Sequence, residues 1–287
     1  MNKYLSLIKF SHTIFALPFA LVGFTIGYIA YKPNSVLFIL LLVILCMVFA
    51  RSAAMAFNRY LDRDIDAKNP RTSVREIPSG MITPNSALAF TILNSIAFVC
   101  CTYFINTICF LLSPIALLVI LGYSYTKRIT ALCHFVLGIG LGLAPIGAYL
   151  AVSGQFAVLP VVIGWAVLLW VSGFDIIYAL QDEEFDREQG LNSIPVLMGK
   201  KSALFLSRML HLICGLSMLW VVWQLNIQFD GSGWISWIAL LVFVSLLVYQ
   251  HTIVKYDDLS KVNLAFFTSN GIASVLFGSL ILVDLLI

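Results

Sequence analysis

Residues 35–66 read SVLFILLLVILCMVFARSAAMAFNRYLDRDID, an apolar run that passes without a break into dense charge. A bilayer core of about 30 Å needs roughly 20 apolar residues per helix, so residues 35 to about 57 predict a membrane-crossing helix. The helical pattern outlasts the hydrophobicity. Continued to about Asp66, it places Arg51, Asn58, Asp62 and Asp66 on one face at offsets of seven, four and four. An acid near hydrocarbon costs roughly 2.5–3.5 kcal/mol on insertion scales, so acids stacked at the end of a span mark function.

The rest of the chain repeats the theme. Its 287 residues are 61% apolar and 11% charged, against about 25% charged in a soluble globular protein, and mean hydropathy is +0.97. Apolar runs at about 10–31, 35–57, 84–105, 107–125, 131–152, 156–180, 202–225, 234–253 and 263–286 predict nine transmembrane helices. Lipid admits only helices and closed barrels, and these runs are too long for barrel strands. The expectation is an all-α, polytopic membrane bundle forming one domain over 1–287. The first run is longer than a signal-peptide core and lacks a small-x-small cleavage site, so it is expected to remain.

With the N-terminus inside, sixteen of the seventeen Lys and Arg residues fall on the cytoplasmic side and only Lys32 lies outside, as the positive-inside rule requires. The net charge of +3 therefore reflects topology and gives no footprint for nucleic acid. A bacterial plasma membrane is the expected home. The six cysteines lie in apolar spans without a C-x-x-C pair, and the four histidines show no zinc spacing.

Ten of the fourteen acids fall in two stretches, Asp62 to Glu76 and Asp175 to Glu188, which this topology places at the cytoplasmic face. In the second, Asp175, Tyr178, Asp182 and Asp186 share a helical face at steps of three, four and four, while Glu183, Glu184 and Glu188 drift round to solvent. Two Asp-x-x-x-Asp pairs, Asp62/Asp66 and Asp182/Asp186, suit a hard divalent cation. Mg²⁺ takes one or two carboxylates, keeps waters and completes its shell with substrate phosphate. Pro70 and the Pro78-Ser-Gly80 turn end the first helix and carry Arg71 and Arg75 back over the acids. Arginine forks match phosphate oxygens. Each pair is followed by an Ile-Pro step and a glycine, a recurrence that points to two four-helix halves, about 1–128 and 129–255, plus a ninth helix.

Arg51 lies two turns inside its apolar run and should meet an anion or a polar cavity. Asp64 falls on the far face from Asp62 and is expected to be solvated. Small residues at 138, 140, 142 and 144 either let helices approach closely or leave room for a ligand. Tyr123, Lys127 and Arg128 close the fourth span as an interfacial anchor or a phosphate site. His12, after Lys9, either lines a headgroup pocket or packs.

These residues resemble the UbiA superfamily of intramembrane aromatic prenyltransferases. Its first signature, Asn-x-x-x-Asp-x-x-x-Asp followed by Arg-Thr-x-x-Arg-x-x-x-x-Gly, is matched by Asn58, Asp62, Asp66, Arg71, Thr72, Arg75 and Gly80. Its second, Asp-x-x-Tyr-Ala-x-x-Asp-x-x-x-Asp, is matched by Asp175, Tyr178, Ala179, Asp182 and Asp186. Tyr123, Lys127 and Arg128 match an intervening Tyr-x-x-x-Lys-Arg element. Asn69 stands where the family usually has an apolar residue and is expected to face no ligand. The opening from Lys9 to Phe19 looks like the 4-hydroxybenzoate-type subgroup and its relatives in menaquinone synthesis.

The resemblance implies transfer of a polyprenyl group from its diphosphate to a ring carbon of an aromatic acid such as 4-hydroxybenzoate, in quinone biosynthesis. It implies two Mg²⁺ ions, one on Asn58/Asp62/Asp66 and one on Asp182/Asp186, with Arg71, Arg75, Lys127 and Arg128 on the diphosphate. Tyr178 would tolerate the allylic cation. Arg51, Asn58 and His12 would meet the acceptor, and Asp175 would polarise its hydroxyl or take the released proton. No protein partner is called for. Other acceptors of the superfamily (a naphthoate, a futalosine-type intermediate, homogentisate, haem, a glycerol phosphate ether) stay open. So does a cation-coupled transporter, although the acids cluster at one face and several spans lack midplane charge.

Overall fold

A computed structural model describes residues 2–7, 15–229 and 233–287. A short helix α1 (Asn2–Leu7) precedes α2 (Leu17–Tyr31), α3 (Val36–Lys68), α4 (Pro84–Ile105), α5 (Thr107–Thr126) and α6 (Cys133–Ser153). Then come α7 (Val158–Ala179), α8 (Glu183–Glu188), α9 (Ile194–Gln228), α10 (Trp234–Ile253) and α11 (Asn270–Leu286). Among the described residues, eight helical segments are long and apolar enough to cross a membrane, and α2 adds a shorter apolar helix of 15 residues. The expected all-helical membrane bundle is what forms.

The first span was expected from about residue 10, and its described part begins at Leu17. Pro18 sits in the first turn of α2, where a missing N–H costs nothing. Helix α3 runs unbroken for 33 residues, about 50 Å, and so carries its charged end beyond the hydrocarbon. Asn106, extended at φ −167°, divides α4 from α5 and accepts from the Cys109 amide at 2.9 Å. Ser193 caps α9 through the Val196 amide at 3.4 Å, ahead of Pro195 in its first turn.

Helix α7 is the spine, packed chiefly on α6 and α9. Its Trp170, Val167 and Ile176 are fully buried. Apolar surface gains little by leaving lipid for protein, so close backbone approach holds such a bundle. A Cβ built on Gly142 would lie 2.5 Å from the Gly164 carbonyl oxygen of α7, and one on Gly138 would lie 2.6 Å from that of Leu168. Gly140 and Ala144, on the other side of α6, line a cavity instead. Both outcomes predicted for the small residues are therefore realised, on opposite faces of one helix. Gly142→Val is expected to destabilise by about 1–3 kcal/mol, because backbone cannot yield as a side chain does. Gly140→Ala, whose Cβ would sit 4.0 Å from Ile120, should be tolerated; thermal unfolding in detergent separates the two.

A π-helical turn, Leu264–Ser269, opens the last span. Its distortion is held by the fully buried Asn270, whose Nδ2 donates to the Ala265 and Phe266 carbonyls at 3.1 and 3.0 Å. The Asn270 Oδ1 accepts from Trp170 Nε1 at 2.9 Å and Gln250 Nε2 at 2.7 Å, tying α7 and α10 to this turn. The turn thereby presents the Phe266 and Phe267 rings to Tyr178, at centroid separations of 4.2 and 5.9 Å.

Candidate active site

Asp62, 2% exposed, is the hub of the first acidic cluster. It accepts from Lys127 Nζ at 2.6 Å, Arg128 Nη2 at 2.9 Å and Asn58 Nδ2, one turn back on α3, at 3.1 Å. Arg128 also donates to the Leu61 carbonyl at 3.0 Å, so the end of α5 is clamped onto α3. The predicted stripe survives because α3 stays helical to Lys68. Lys127 and Arg128 thus bear on the acids and do more than anchor the span at the interface.

Asp66, also buried, accepts from Arg75 Nη1 at 2.7 Å on one carboxylate oxygen. Its second oxygen is buried and meets no hydrogen-bond donor among the described residues. Thr72 fastens the returning loop by donating to the Asp66 carbonyl at 3.1 Å. Beneath the loop lies a pair that sequence reasoning missed: buried Arg59 stands 3.9 Å from buried Glu76, which also accepts from Ser6 of α1 at 2.5 Å. Arg59 follows Asn58 directly on α3, and its partner Glu76 lies 17 residues on, in the returning loop. Asp64, as expected, is solvated and pairs with Arg63 at 3.7 Å.

The second cluster departs from the prediction in shape. In place of one continuous helix, α7 ends at Ala179, a 3₁₀ turn covers Leu180–Asp182, and α8 resumes at Glu183. The tighter turn re-aims Asp182 toward the loop after α3. Arg71 grips it with both branches of its fork, Nε at 3.0 Å from Oδ1 and Nη2 on Oδ2. Its remaining Nη1 donates to the Tyr178 hydroxyl at 2.6 Å. Burial opposes the Arg71 charge, but the bonds to Asp182 and Tyr178 outweigh it and hold its pKa above the ordinary guanidinium value.

One residue makes contacts not foreseen, and one expectation needs correction. Asn69 donates through Nδ2 to Asp182 Oδ1 at 3.2 Å while its Oδ1 accepts from the Arg71 amide at 2.9 Å. The amide reaches this acid because α3 ends at Lys68 and Asn69 turns extended. Glu183 was expected to be hydrated. It is buried, paired with Arg187 and 3.6 Å from Lys200, and fastens α8 to α9. Glu184 does remain exposed.

Asp175 lies deeper on α7, its Oδ2 2.7 Å from Nδ1 of the buried His134. Asp186 stands within electrostatic reach of Asp182, Lys127, His134 and Arg71. Arg51 borders a cavity of about 380 Å³ with Tyr123, Cys46, Phe98, Leu141 and Ala144, and its buried Nε has no hydrogen-bond partner among the described residues. His12 lies outside the described residues.

The loop after α3 thus joins the two motifs directly, and bases from three segments sit among the acids. Among the described residues, no three His, Cys, Asp or Glu side chains converge as a metal cage by themselves. A shared cation would need donors from a substrate as well, which is the usual arrangement for Mg²⁺.

Residues 16–271 match the UbiA prenyltransferase family. The 4-hydroxybenzoate octaprenyltransferase of Aliivibrio fischeri strain MJ11 is 29% identical over 239 residues, covering 83% of this chain and 81% of its own. That of Tolumonas auensis is 29% identical over 247 residues, covering 85% and 84%. The apo structure of a UbiA homologue from Aeropyrum pernix K1 superposes with a TM-score of 0.84 at 32% identity, covering 95% of this chain and 98% of the other. A UbiA homologue from Archaeoglobus fulgidus, bound to DMAPP and Mg²⁺, shares the fold with a TM-score of 0.72 at 24% identity over 99% of each chain. With the family match spanning most of the molecule, this chain is a multi-pass membrane enzyme that transfers prenyl groups, a member of the UbiA prenyltransferase family.

Proposed function

We propose that the protein transfers a polyprenyl group from a polyprenyl diphosphate to a ring carbon of an aromatic acid such as 4-hydroxybenzoate, with Mg²⁺, as a step in quinone biosynthesis. The observation that carries this reading is the juxtaposition of two environments: acids laced with bases, and an apolar cavity bordered by an unpaired arginine. The relatives named for 4-hydroxybenzoate support the acceptor.

The unpartnered, buried Asp66 oxygen among hard oxygen donors fits a divalent cation. Asn58, Asp62 and Asp66 would hold one ion, and Asp182 with Asp186 another. Bound there, Mg²⁺ would neutralise charge gathering on the leaving diphosphate. Arg71, Arg75, Lys127 and Arg128 would bind the same group with fixed positive charge. Tyr178 would turn its π face to the allylic cation, and the flanking Phe266 and Phe267 would exclude water that would otherwise give the free alcohol. Arg51, with Asn58, would meet the carboxylate of the acceptor, and Asp175 would take the ring proton. The active site would face the cytoplasm, where the basic residues gather.

Membranes or purified protein given radiolabelled prenyl diphosphate and a panel of aromatic acids should yield a prenylated acid that EDTA suppresses. A transporter would yield none. Arg51→Ala should raise the KM for the aromatic acid about 10–100-fold, the equivalent of one charge-assisted hydrogen bond. The KM for prenyl diphosphate should hold; equal weakening of both would remove Arg51 from the acceptor.

A further inference from the structure

Resting on the aromatic-acceptor assignment above, we infer that His134 is a positioning residue that holds Asp175 as a proton acceptor through a neutral, tautomer-locked imidazole. The lock is legible in the hydrogen bonds. Ile194 is the first residue of α9, and its amide is one of the N–H groups that a helix cannot satisfy internally. It donates to His134 Nε2 at 3.3 Å. A ring nitrogen that accepts from an amide presents its lone pair, so the single proton of the neutral ring sits on Nδ1. Nδ1–H then donates to Asp175 Oδ2 at 2.7 Å.

The setting is rigid. His134 is 3% exposed. Its own carbonyl accepts from Ser172 Oγ of α7 at 3.3 Å, and the glycine contact at Gly138 presses α6 against α7 one turn later. Asp175 stands on α7 one turn after Ser172, so the imidazole and the carboxylate are fixed by the same helix pair.

What sets this acid apart is the charge of its partner. Asp62 pairs with Lys127 and Arg128, Asp66 with Arg75, and Asp182 with Arg71. Those carboxylates are each gripped by a fixed cation at ion-pair distance. Asp175 has a neutral donor on one oxygen, and the other oxygen is left free of that bond. It is oriented through one oxygen and keeps the other open. The division suits the chemistry, because an acid meant to hold a cation must not take protons and the acid that ends the reaction must.

The step balances without any further reactant. The allylic C–O bond breaks and its electron pair leaves with the diphosphate. A ring π pair forms the new C–C bond. The ring C–H bond then breaks, its pair restores aromaticity, and the proton passes to the free Asp175 oxygen.

Two near-isosteric variants separate this role from simple capping of α9. Asn places an amide nitrogen near the position of Nδ1, so His134→Asn keeps the Asp175 contact and gives up Ile194. Gln places its amide oxygen near Nε2, so His134→Gln keeps Ile194 and gives up Asp175. With geranyl diphosphate, 4-hydroxybenzoate and Mg²⁺, His134→Asn should retain most of the rate of aromatic prenylation. His134→Gln should lose about tenfold to a hundredfold in kcat, part of what a positioned general base contributes, with the KM for the acid nearly unmoved. The same variant should show a larger isotope effect on acceptor deuterated at the attacked carbon. Added to Asp175→Asn, His134→Gln should change nothing further, as for residues that act as one unit. Release of free geraniol from the diphosphate should continue in both variants, because ionisation does not use this pair. Equal loss in the two variants, a worse Asn variant, or an additive double variant would overturn the inference and leave His134 a structural cap. A failed acceptor assignment reads differently: the unsubstituted enzyme would itself cleave diphosphate without prenylating the acid, and the inference would fall with it.

Discussion

Asp62→Ala is expected to lower prenyl transfer about a thousandfold, equivalent to roughly 4 kcal/mol of lost transition-state stabilisation. The geometry concentrates the effect. One buried carboxylate accepts from Asn58, Lys127 and Arg128 together, and so sets where two cations from the end of α5 point. Without it a proposed metal ligand would be gone, and both bases would be free to swing away from the proposed diphosphate site. Stability should suffer much less. Breaking a fully buried pair costs about 3–5 kcal/mol, but Lys127 and Arg128 are 29% and 22% exposed and can turn to water. A folded, membrane-inserted variant with negligible turnover is the expected result. Near-normal turnover would remove Asp62 from the chemistry.

Asp182→Ala should match that loss of turnover and differ in its structural signature. Asp182 is the anchor for the loop after α3, since it takes both branches of the Arg71 fork and the Asn69 amide. Amide exchange over residues 69–80 should therefore accelerate in Asp182→Ala. It should stay near normal in Asp186→Ala, whose carboxylate holds no loop residue by hydrogen bond among the described residues. Loss of activity with an unchanged loop would make the Arg71 contact incidental; a loosened loop with intact activity would deny Asp182 its place at the diphosphate.

The spans and the first acidic stripe were legible because each depends on local periodicity: hydrophobic length sets the crossings, and offsets of four set the face of α3. What escaped was set by chain geometry or by long-range contact. The 3₁₀ turn before Glu183 was invisible because nothing in Leu180-Gln181-Asp182 forbids a plain helix. Asn69 was discounted by analogy with an apolar position, whereas the abrupt end of α3 and the return of Arg71 aim its amide at Asp182. Glu183 is buried because Lys200 arrives from α9, a contact no local pattern announces. His134 showed no metal spacing, and its partner lies 41 residues away on the next span. Arg51 was the opposite case. A lone cation deep in an apolar run was conspicuous in sequence, and it does border the cavity.

The unbroken course of α3 has a consequence for which molecules the enzyme can join. Arg51 and Asp62 stand eleven positions apart on one stiff rod, about 16 Å along its axis, so on the proposed assignment the two ends of the reaction would be spaced by a molecular ruler that loop motion cannot stretch. One residue inserted between them would swing Arg51 round the rod by about 100° and turn it away from the cavity it borders. Four would bring it back into view about 6 Å further off, tuned to a longer molecule.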